Sequence, residues 1–146
     1  MPVELVRSYT DELLDAMNAL IPQLSTSTPA RDADFVKELV AQDSVYLFVY
    51  RTEADGEASP ILGMLSLATF DIPTGKRAWI EDVVVDADAR GQGAGQQLVE
   101  AAVAHAKKIG AKSVDLTSRP TREAANRLYR RCGFELRDTN IYRYAG

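Results

Sequence analysis

The run Arg90-Gly91-Gln92-Gly93-Ala94-Gly95 joins an apolar stretch, Trp79-Ile80-Glu81-Asp82-Val83-Val84-Val85, directly to a helical pattern that opens at Gln96-Gln97-Leu98. No other part of the chain constrains the fold as tightly. A β-rich run followed at once by a glycine turn and a helix must place that helix's N-terminus at the strand's C-terminal end. Glycines at 91, 93 and 95 strip side chains from the turn. The helix's free N–H groups and its positive dipole end can then meet an anion at close range.

The helix expected from about Gly93 to Ile109 carries an apolar stripe of Leu98, Val99, Ala102, Val103, Ala106 and Ile109, and Gly110 stops it. Lys112–Thr117 reads as the next strand. A strand–helix–strand unit of this length predicts a parallel pair with a right-handed crossover. Upstream, Val3–Ser8 is an expected strand, and Thr10 is an N-cap for a helix over Asp11–Leu20. A polar loop follows from Pro22 to Pro29, then a helix over Ala30–Gln42. Val45–Arg51, Ile61–Phe70 and Arg77–Val85 are β-rich runs separated by Thr52–Pro60, with its Asp55-Gly56 turn signal, and by Pro73-Thr74-Gly75. Short turns between successive strands imply an antiparallel meander. Thr121–Cys132 is a further helix ended by Gly133, and Phe134–Arg137 and Ile141–Tyr144 are expected to close the chain as short strands. The predicted class is α/β (α+β). Its central sheet is mixed and mostly antiparallel, with a splayed parallel pair flanked by about four helices.

Composition narrows the function. The chain has 146 residues and no repeat or linker, so residues 1–146 are read as a single domain. No apolar run approaches the roughly 18 residues that span a bilayer, and the N-terminus lacks a basic-then-apolar leader. The single cysteine, Cys132, rules out an internal disulfide and a cysteine-rich metal site. A reducing cytoplasm, no membrane and no metal are the expectations. A net charge of −4 argues against a general nucleic-acid binder. That total hides an asymmetry. Residues 1–89 carry 6 Lys+Arg against 16 Asp+Glu, a balance of −10, and residues 90–146 carry 11 against 5, a balance of +6. A basic part that holds the glycine turn suits a polyphosphorylated ligand, and an acidic remainder suits a cationic one.

Two nucleotide readings of the turn fail on particular residues. A Walker A loop needs Lys and then Ser or Thr after its last glycine, and here the chain reads Gly95-Gln96-Gln97. A dinucleotide fingerprint needs its third glycine at relative position six, where this chain has Gln96.

The run Arg90-x-x-Gly93-x-Gly95 after an apolar strand resembles the pyrophosphate loop of the GCN5-related N-acetyltransferases, which use acetyl-CoA. Ile80-Glu81-Asp82-Val83-Val84-Val85 is similar to that family's central strand. The run from Glu123 through Asn126, Leu128 and Tyr129 to Cys132-Gly133-Phe134 is similar to its second signature helix. The resemblance is close over residues 77–137 and extends upstream in element order alone.

The resemblance implies a set of site residues. Acetyl-CoA would be held by the strand backbone at Val83, Val84 and Val85, by the turn from Arg90 through Gly91, Gln92, Gly93, Ala94 and Gly95 to Gln96, and by Asn126 and Tyr129. Moving an acetyl group from a thioester to an amine needs a neutral amine, donors for the developing oxyanion and a proton for the thiolate. Glu81 is the preferred base, on the pleat face of Val83 and Val85 if the strand is regular. Asp82 is the alternative, and a bulge would exchange the two. Either could instead pair with a neighbour such as Arg77. Tyr129 is the expected acid, with Asn126 one turn before it on the same helical face. Glu81, Asp82 and Asp115 are candidate acceptor contacts. One of Arg119, Arg122, Arg127, Arg130 and Arg131 could meet the 3′-phosphate of CoA, the rest forming a solvated face. His105 and Cys132 are assigned to packing, and Trp79 to the core ahead of an acceptor channel. Tyr142 and Tyr144 sit on the closing strand, where one could border the acceptor.

The implied activity is direct acetyl transfer to a primary amine, with no covalent enzyme intermediate because no Cys/His pair is placed for one. A small molecule is the favoured acceptor, with the loop from Pro22 to Pro29 setting specificity. A protein lysine or N-terminus is the alternative. The rival from another class is a non-catalytic acyl-CoA-binding module. A homodimer is compatible with all of these.

Overall fold

The computed structural model describes residues 2–52 and 59–146; the Asp55-Gly56 turn expected from the sequence lies outside the described residues. A five-stranded sheet in the order β1-β2-β3-β4-β5 is built from β1 (Val3–Val6), β2 (Val45–Arg51), β3 (Ile61–Ile72), β4 (Gly75–Val85) and β5 (Val114–Asp115). The first three junctions are antiparallel, and β4 and β5 are parallel. This is the expected mixed sheet. Helices α1 (Asp11–Leu24) and α2 (Ala33–Ala41) cover one face, and α3 (Ala94–Lys108) and α4 (Glu123–Arg131) cover the other.

Strand β2 shows why the layers form. Leu47, Phe48, Val49 and Tyr50 are all buried, since a strand covered on both faces has no polar side. Phe48 and Tyr50 pack with Leu65, Leu67, Ile80 and the α3 residue Leu98. Leu47 and Val49 pack with Met64, Val84, Leu13, Met17, Leu20 and Val36. Period two in the strand meets the helical stripes on either side.

Caps set the helix starts. The Thr10 hydroxyl accepts from the Leu13 N–H at 3.0 Å, as expected. Helix α2 begins at Ala33 rather than at Ala30 because the Asp32 carboxylate accepts the Phe35 N–H at 2.9 Å. Helix α1 runs four residues past the expected Leu20, through Pro22 to Leu24. In the last turn Pro22 removes one donor, and the Ser25 N–H still closes onto Ile21 O at 2.8 Å. Leu20 is fully buried, and Ile21 and Leu24 pack against the same cluster, so burial outweighs the missing bond. The polar loop therefore starts at Ser25.

Three expectations at the far edge of the sheet are corrected. Strand β5 pairs over two residues, Ala78 with Val114 and Trp79 with Asp115, not over Lys112–Thr117. Helix α4 covers Glu123–Arg131, inside the expected Thr121–Cys132. Phe134–Arg137 and Ile141–Tyr144 form no strands, and every residue from Glu135 to Gly146 is exposed. Strand propensity is realised only where a partner edge is engaged, and these runs pair with none of the five strands.

Candidate active site

The candidate site lies where β4 and β5 part. Beyond Trp79 and Asp115 the two strands share no ladder, and β4 continues through Ile80–Val85 paired with β3 only. Within that segment the register slips: Ser66 faces Glu81 and Met64 faces Val84, so β4 advances three residues while β3 advances two. The extra residue makes a β-bulge, with Asp82 at φ +50°, the one non-glycine residue with positive φ among the described residues. Asp tolerates that left-handed geometry better than most residues, yet it still carries strain on the order of 1 kcal/mol.

The bulge corrects the sequence reading of the pleat. Before it, Ala78 and Ile80 face α3; after it, Val83 and Val85 face α3 and Val84 faces α1. Glu81 therefore lies on the face opposite Val83 and Val85, along with Trp79. The condition on which they would have shared a face, a regular strand, is not met. Trp79 is half-buried and belongs to neither core cluster, contrary to the expected core packing. Glu81 and Asp82 are exposed and make no ion pair among the described residues. The Arg77 guanidinium, the neighbour that could have neutralised one of them, donates instead to Thr74 at 3.0 Å.

The glycine turn follows. Asp86 accepts from the Asp88 N–H at 2.9 Å and starts a single 3-10 turn over Ala87–Ala89 that leads into Arg90. Gly91 and Gly93 then adopt φ +86° and +76°. A Cβ at Gly91 would meet nothing within 4 Å, so that glycine serves backbone conformation rather than space. Gly95 has a different role. A Cβ there would lie 3.0 Å from Leu128 Cδ2, so Gly95 lets α4 pack onto the first turn of α3. The first helical bond runs from the Gln97 N–H to Gly93 O at 3.0 Å. The N–H groups of Gly93, Ala94, Gly95 and Gln96 have no acceptor among the described residues, and no acidic residue sits in the first turn. The Gln96 side chain is turned to Glu100, at 2.7 Å. Four open donors at a positive dipole end, with the exposed Arg90 beside them, fit a pyrophosphate.

Helix α4 brings the remaining candidates. Tyr129 is 8% exposed and closes the core cluster that holds Ala94 and Leu98. Burial pushes its hydroxyl pKa up, against the opposing pull of the Arg122 charge, so the phenol stays protonated through the neutral range. Asn126 donates to Arg119 O at 3.0 Å and to Arg122 O at 2.8 Å, so its amino group holds the turn into α4 and only its carbonyl oxygen faces outward demand. Asp115 is half-buried beside Trp79 in the parallel pair. Burial raises the Cys132 thiol pKa, with Glu100 adding to it, which suits packing and not nucleophilic attack. His105 stacks on Tyr46 at 4.3 Å between ring centroids, in the sheet-facing row of α3.

Two features were not read from the sequence. Gln23 at the end of α1 donates to Asp86 Oδ2 at 3.1 Å and accepts from the Ala87 N–H at 3.2 Å, tying α1 to the approach of the glycine turn. No sequence signal marks a pair 63 residues apart. A cavity of about 300 Å³ lies between Ser118 and Pro120 and the outer face of α4, lined there by Arg127 and Arg130. The basic residues on that face were visible, but the cavity depends on how α4 docks.

The profile of the Acetyltransferase (GNAT) family matches residues 9–134, and the chain belongs to that family. It is an N-acetyltransferase of the class that uses acetyl-CoA as co-substrate. Glucosamine 6-phosphate N-acetyltransferase 1 of Oryza sativa subsp. japonica is 34% identical over 119 residues, covering 79% of this chain and 70% of that protein. Among solved structures, glucosamine-6-phosphate N-acetyltransferase from Arabidopsis thaliana superposes with a TM-score of 0.77 at 23% identity, covering 99% of both chains. An aminoglycoside acetyltransferase from an uncultured soil metagenomic sample, in complex with sisomicin, gives 0.82 at 19% identity, over 99% of this chain and 94% of that one. At these identities the structures speak to fold alone. No helix among the described residues is long and apolar enough to cross a membrane.

Proposed function

We propose that the chain transfers the acetyl group of acetyl-CoA directly to the primary amine of a small molecule, with the cleft between β4 and β5 as the reaction site. The observation that carries this reading is the open row of N–H donors from Gly93 to Gln96, set at the end of the strand that bulges at Asp82. Arg90 and those amides would hold the pyrophosphate, and the backbone of Val83–Val85 would hold the pantetheine arm and the acetyl oxygen. The thioester supplies an activated acetyl group. Transfer moves that group from sulfur to nitrogen while the amine loses one proton and the thiolate gains one.

The chain's own groups manage those protons. An alkylamine has a pKa near 10, so only about one molecule in a thousand is neutral at pH 7. Glu81, exposed and unpaired on the α1 side of β4, is the group to accept the ammonium proton, directly or through water. Asp82 sits next to it on the bulge as the alternative. Trp79, on the same side and outside the core, would line the acceptor cleft. Tyr129, held protonated by burial, donates to the departing sulfur. Asn126 orders the approach to α4 through its bonds to Arg119 and Arg122.

A cationic acceptor is supported by the acidic N-terminal part of the chain, and a small one by the rice relative, whose name specifies an amino-sugar phosphate. The test is thiol release from acetyl-CoA across amino-sugar phosphates, aminoglycosides, polyamines and lysine-bearing peptides. Turnover should be highest with one of the small amines. Preferential turnover of peptides would move the assignment to a protein acetyltransferase. Tight acetyl-CoA binding by calorimetry with no turnover on any amine would favour a binding module.

A further inference from the structure

Glycine lets the turn bend without deciding where it points. Gly91 and Gly93, at φ +86° and +76°, leave the segment permissive. No backbone hydrogen bond joins Gly91 or Gln92 to another residue among the described residues. The direction in which Arg90 and the open N–H groups face is therefore set by what flanks them. One flank is the first turn of α3, seated by the buried Ala94. The other is the single 3-10 turn over Ala87–Ala89.

That second flank is held at three points. The Asp86 N–H donates to Leu62 O of β3 at 2.8 Å, and Ala89 is fully buried. Gln23 supplies the third point, using both ends of its carboxamide on adjacent residues. Its Nε2 donates to Asp86 Oδ2 at 3.1 Å and its Oε1 accepts from the Ala87 N–H at 3.2 Å. Nε2 also reaches back to Ala19 O of its own helix at 3.4 Å. The second carboxylate oxygen, Asp86 Oδ1, takes the Asp88 N–H at 2.9 Å. The bonds from Asp88 and Gln23, with the Arg90 charge behind them, hold the Asp86 carboxyl below its ordinary pKa and keep it an acceptor.

The Gln23 side chain is exposed, but its backbone is fixed. Ile21 and Leu24 on either side of it pack against the cluster of Leu13, Met17 and Leu20. A polar side chain in water, mounted on a backbone held by burial, acts as a strut from α1 to the entry of the glycine turn. Neither Gln23 nor Asp86 belongs to the core, so the fold itself does not require the bond. We infer that Gln23 is a positioning residue for acetyl-CoA: its carboxamide fixes the angle at which the turn leaves β4, and so aims Arg90 and the amides of Gly93–Gln96 at the pyrophosphate. This rests on reading that turn as the pyrophosphate site. Gln23 itself need not touch the ligand, since preorganising the donors lowers the ordering that binding would otherwise impose.

Calorimetry with CoA, which needs no acetyl transfer, is the first test. Gln23→Ala should raise the Kd about fivefold, as expected for the loss of two modest hydrogen bonds that order a binding loop. Its melting temperature should stay within about 2 °C of wild type, because an exposed side chain is removed. Gln23→Glu sets a carboxylate against Asp86 and should weaken binding at least as much. Adding Asp86→Asn to that variant exchanges donor and acceptor at unchanged net charge. The new Glu then accepts from the new Asn and from the Ala87 N–H, and the Kd should return to within about twofold of wild type. In the ligand-free protein, the Ala87 amide should exchange faster in Gln23→Ala than in wild type. Equal Kd values for wild type and Gln23→Ala overturn the inference, as does a double variant that binds no better than Gln23→Glu. A loss of affinity matched by a large drop in melting temperature also overturns it, since the role would then be global stability. Wild-type protein that does not bind CoA would overturn the reading of the turn itself, an outcome distinct from equal binding by the variant.

Discussion

The roles proposed for Tyr129 and Glu81 rest on opposite surroundings. Tyr129 is buried against Ala94 and Leu98, and the loss of solvent keeps its proton on. Replacing it with Phe preserves that packing and deletes the hydroxyl. The expected result is a fall in kcat of about 100-fold, with the KM for acetyl-CoA changed by less than about threefold. Equal turnover in the variant would remove Tyr129 as the acid. Glu81 is open to solvent on the other side of β4. Glu81→Gln should lower kcat by about 100-fold and abolish the acidic limb of the pH–rate profile, whereas Asp82→Asn should leave that limb in place. The reverse pattern would assign the base to Asp82. The sequence placed both carboxylates on the strand before the glycine turn, but it could not say which face each occupies. That depended on the bulge, and a bulge is a mismatch between two strands, invisible in either one alone.

At the scale of elements, the glycine turn was legible as a conformation. The function proposed for it rests on short-range chemistry: two positive-φ positions, a helix start with no acidic side chain, and free N–H groups. A β-branched residue at Gly93, where φ is +76°, has to adopt a conformation costing on the order of 1–3 kcal/mol or pull the turn out of shape. Gly93→Val should therefore raise the Kd for acetyl-CoA roughly tenfold or more, since about 1.4 kcal/mol corresponds to a factor of ten. Calorimetry on the variant measures this, with the melting temperature recorded to separate turn distortion from global loss of fold. The third glycine has a further role: Gly95 gives room to Leu128 across the α3–α4 contact, a constraint that no local spacing displays.

Across the whole molecule, the sheet is held between two apolar layers, and the imidazole of His105 is wedged into one of them. It meets the Tyr46 ring at a tilt of 58° and the Phe48 ring edge-on, while the Arg7 guanidinium lies over the Tyr46 ring at 4.5 Å. Burial lowers its pKa, and the Lys108 and Arg7 charges lower it further. The unfolded chain, with a histidine pKa near 6.5, then binds a proton that the folded chain refuses. Stability should be constant above about pH 6.5 and fall as pH drops from there toward the folded pKa. Urea unfolding midpoints between pH 5 and 8 measure this, and His105→Phe should flatten that part of the curve. An unchanged slope in the variant would assign it to other groups.

The sequence by itself determined what neighbouring residues decide. It specified the strand–glycine turn–helix unit, the Thr10 cap, the β-rich run of β2, the order of elements as far as α4 and, through three spaced signatures, the family. These depend on backbone sterics, caps and periodicity within a few residues. The tertiary structure alone decided where long-range partners overrule or withhold support. It carried α1 through Pro22 because a core was waiting, flipped β4 at Asp82 to suit β3, and left β5 two residues long. It also left Ile141–Tyr144 without a strand to pair with. A residue's propensity is a property of the chain, but a hydrogen-bonded edge is a property of whatever stands next to it.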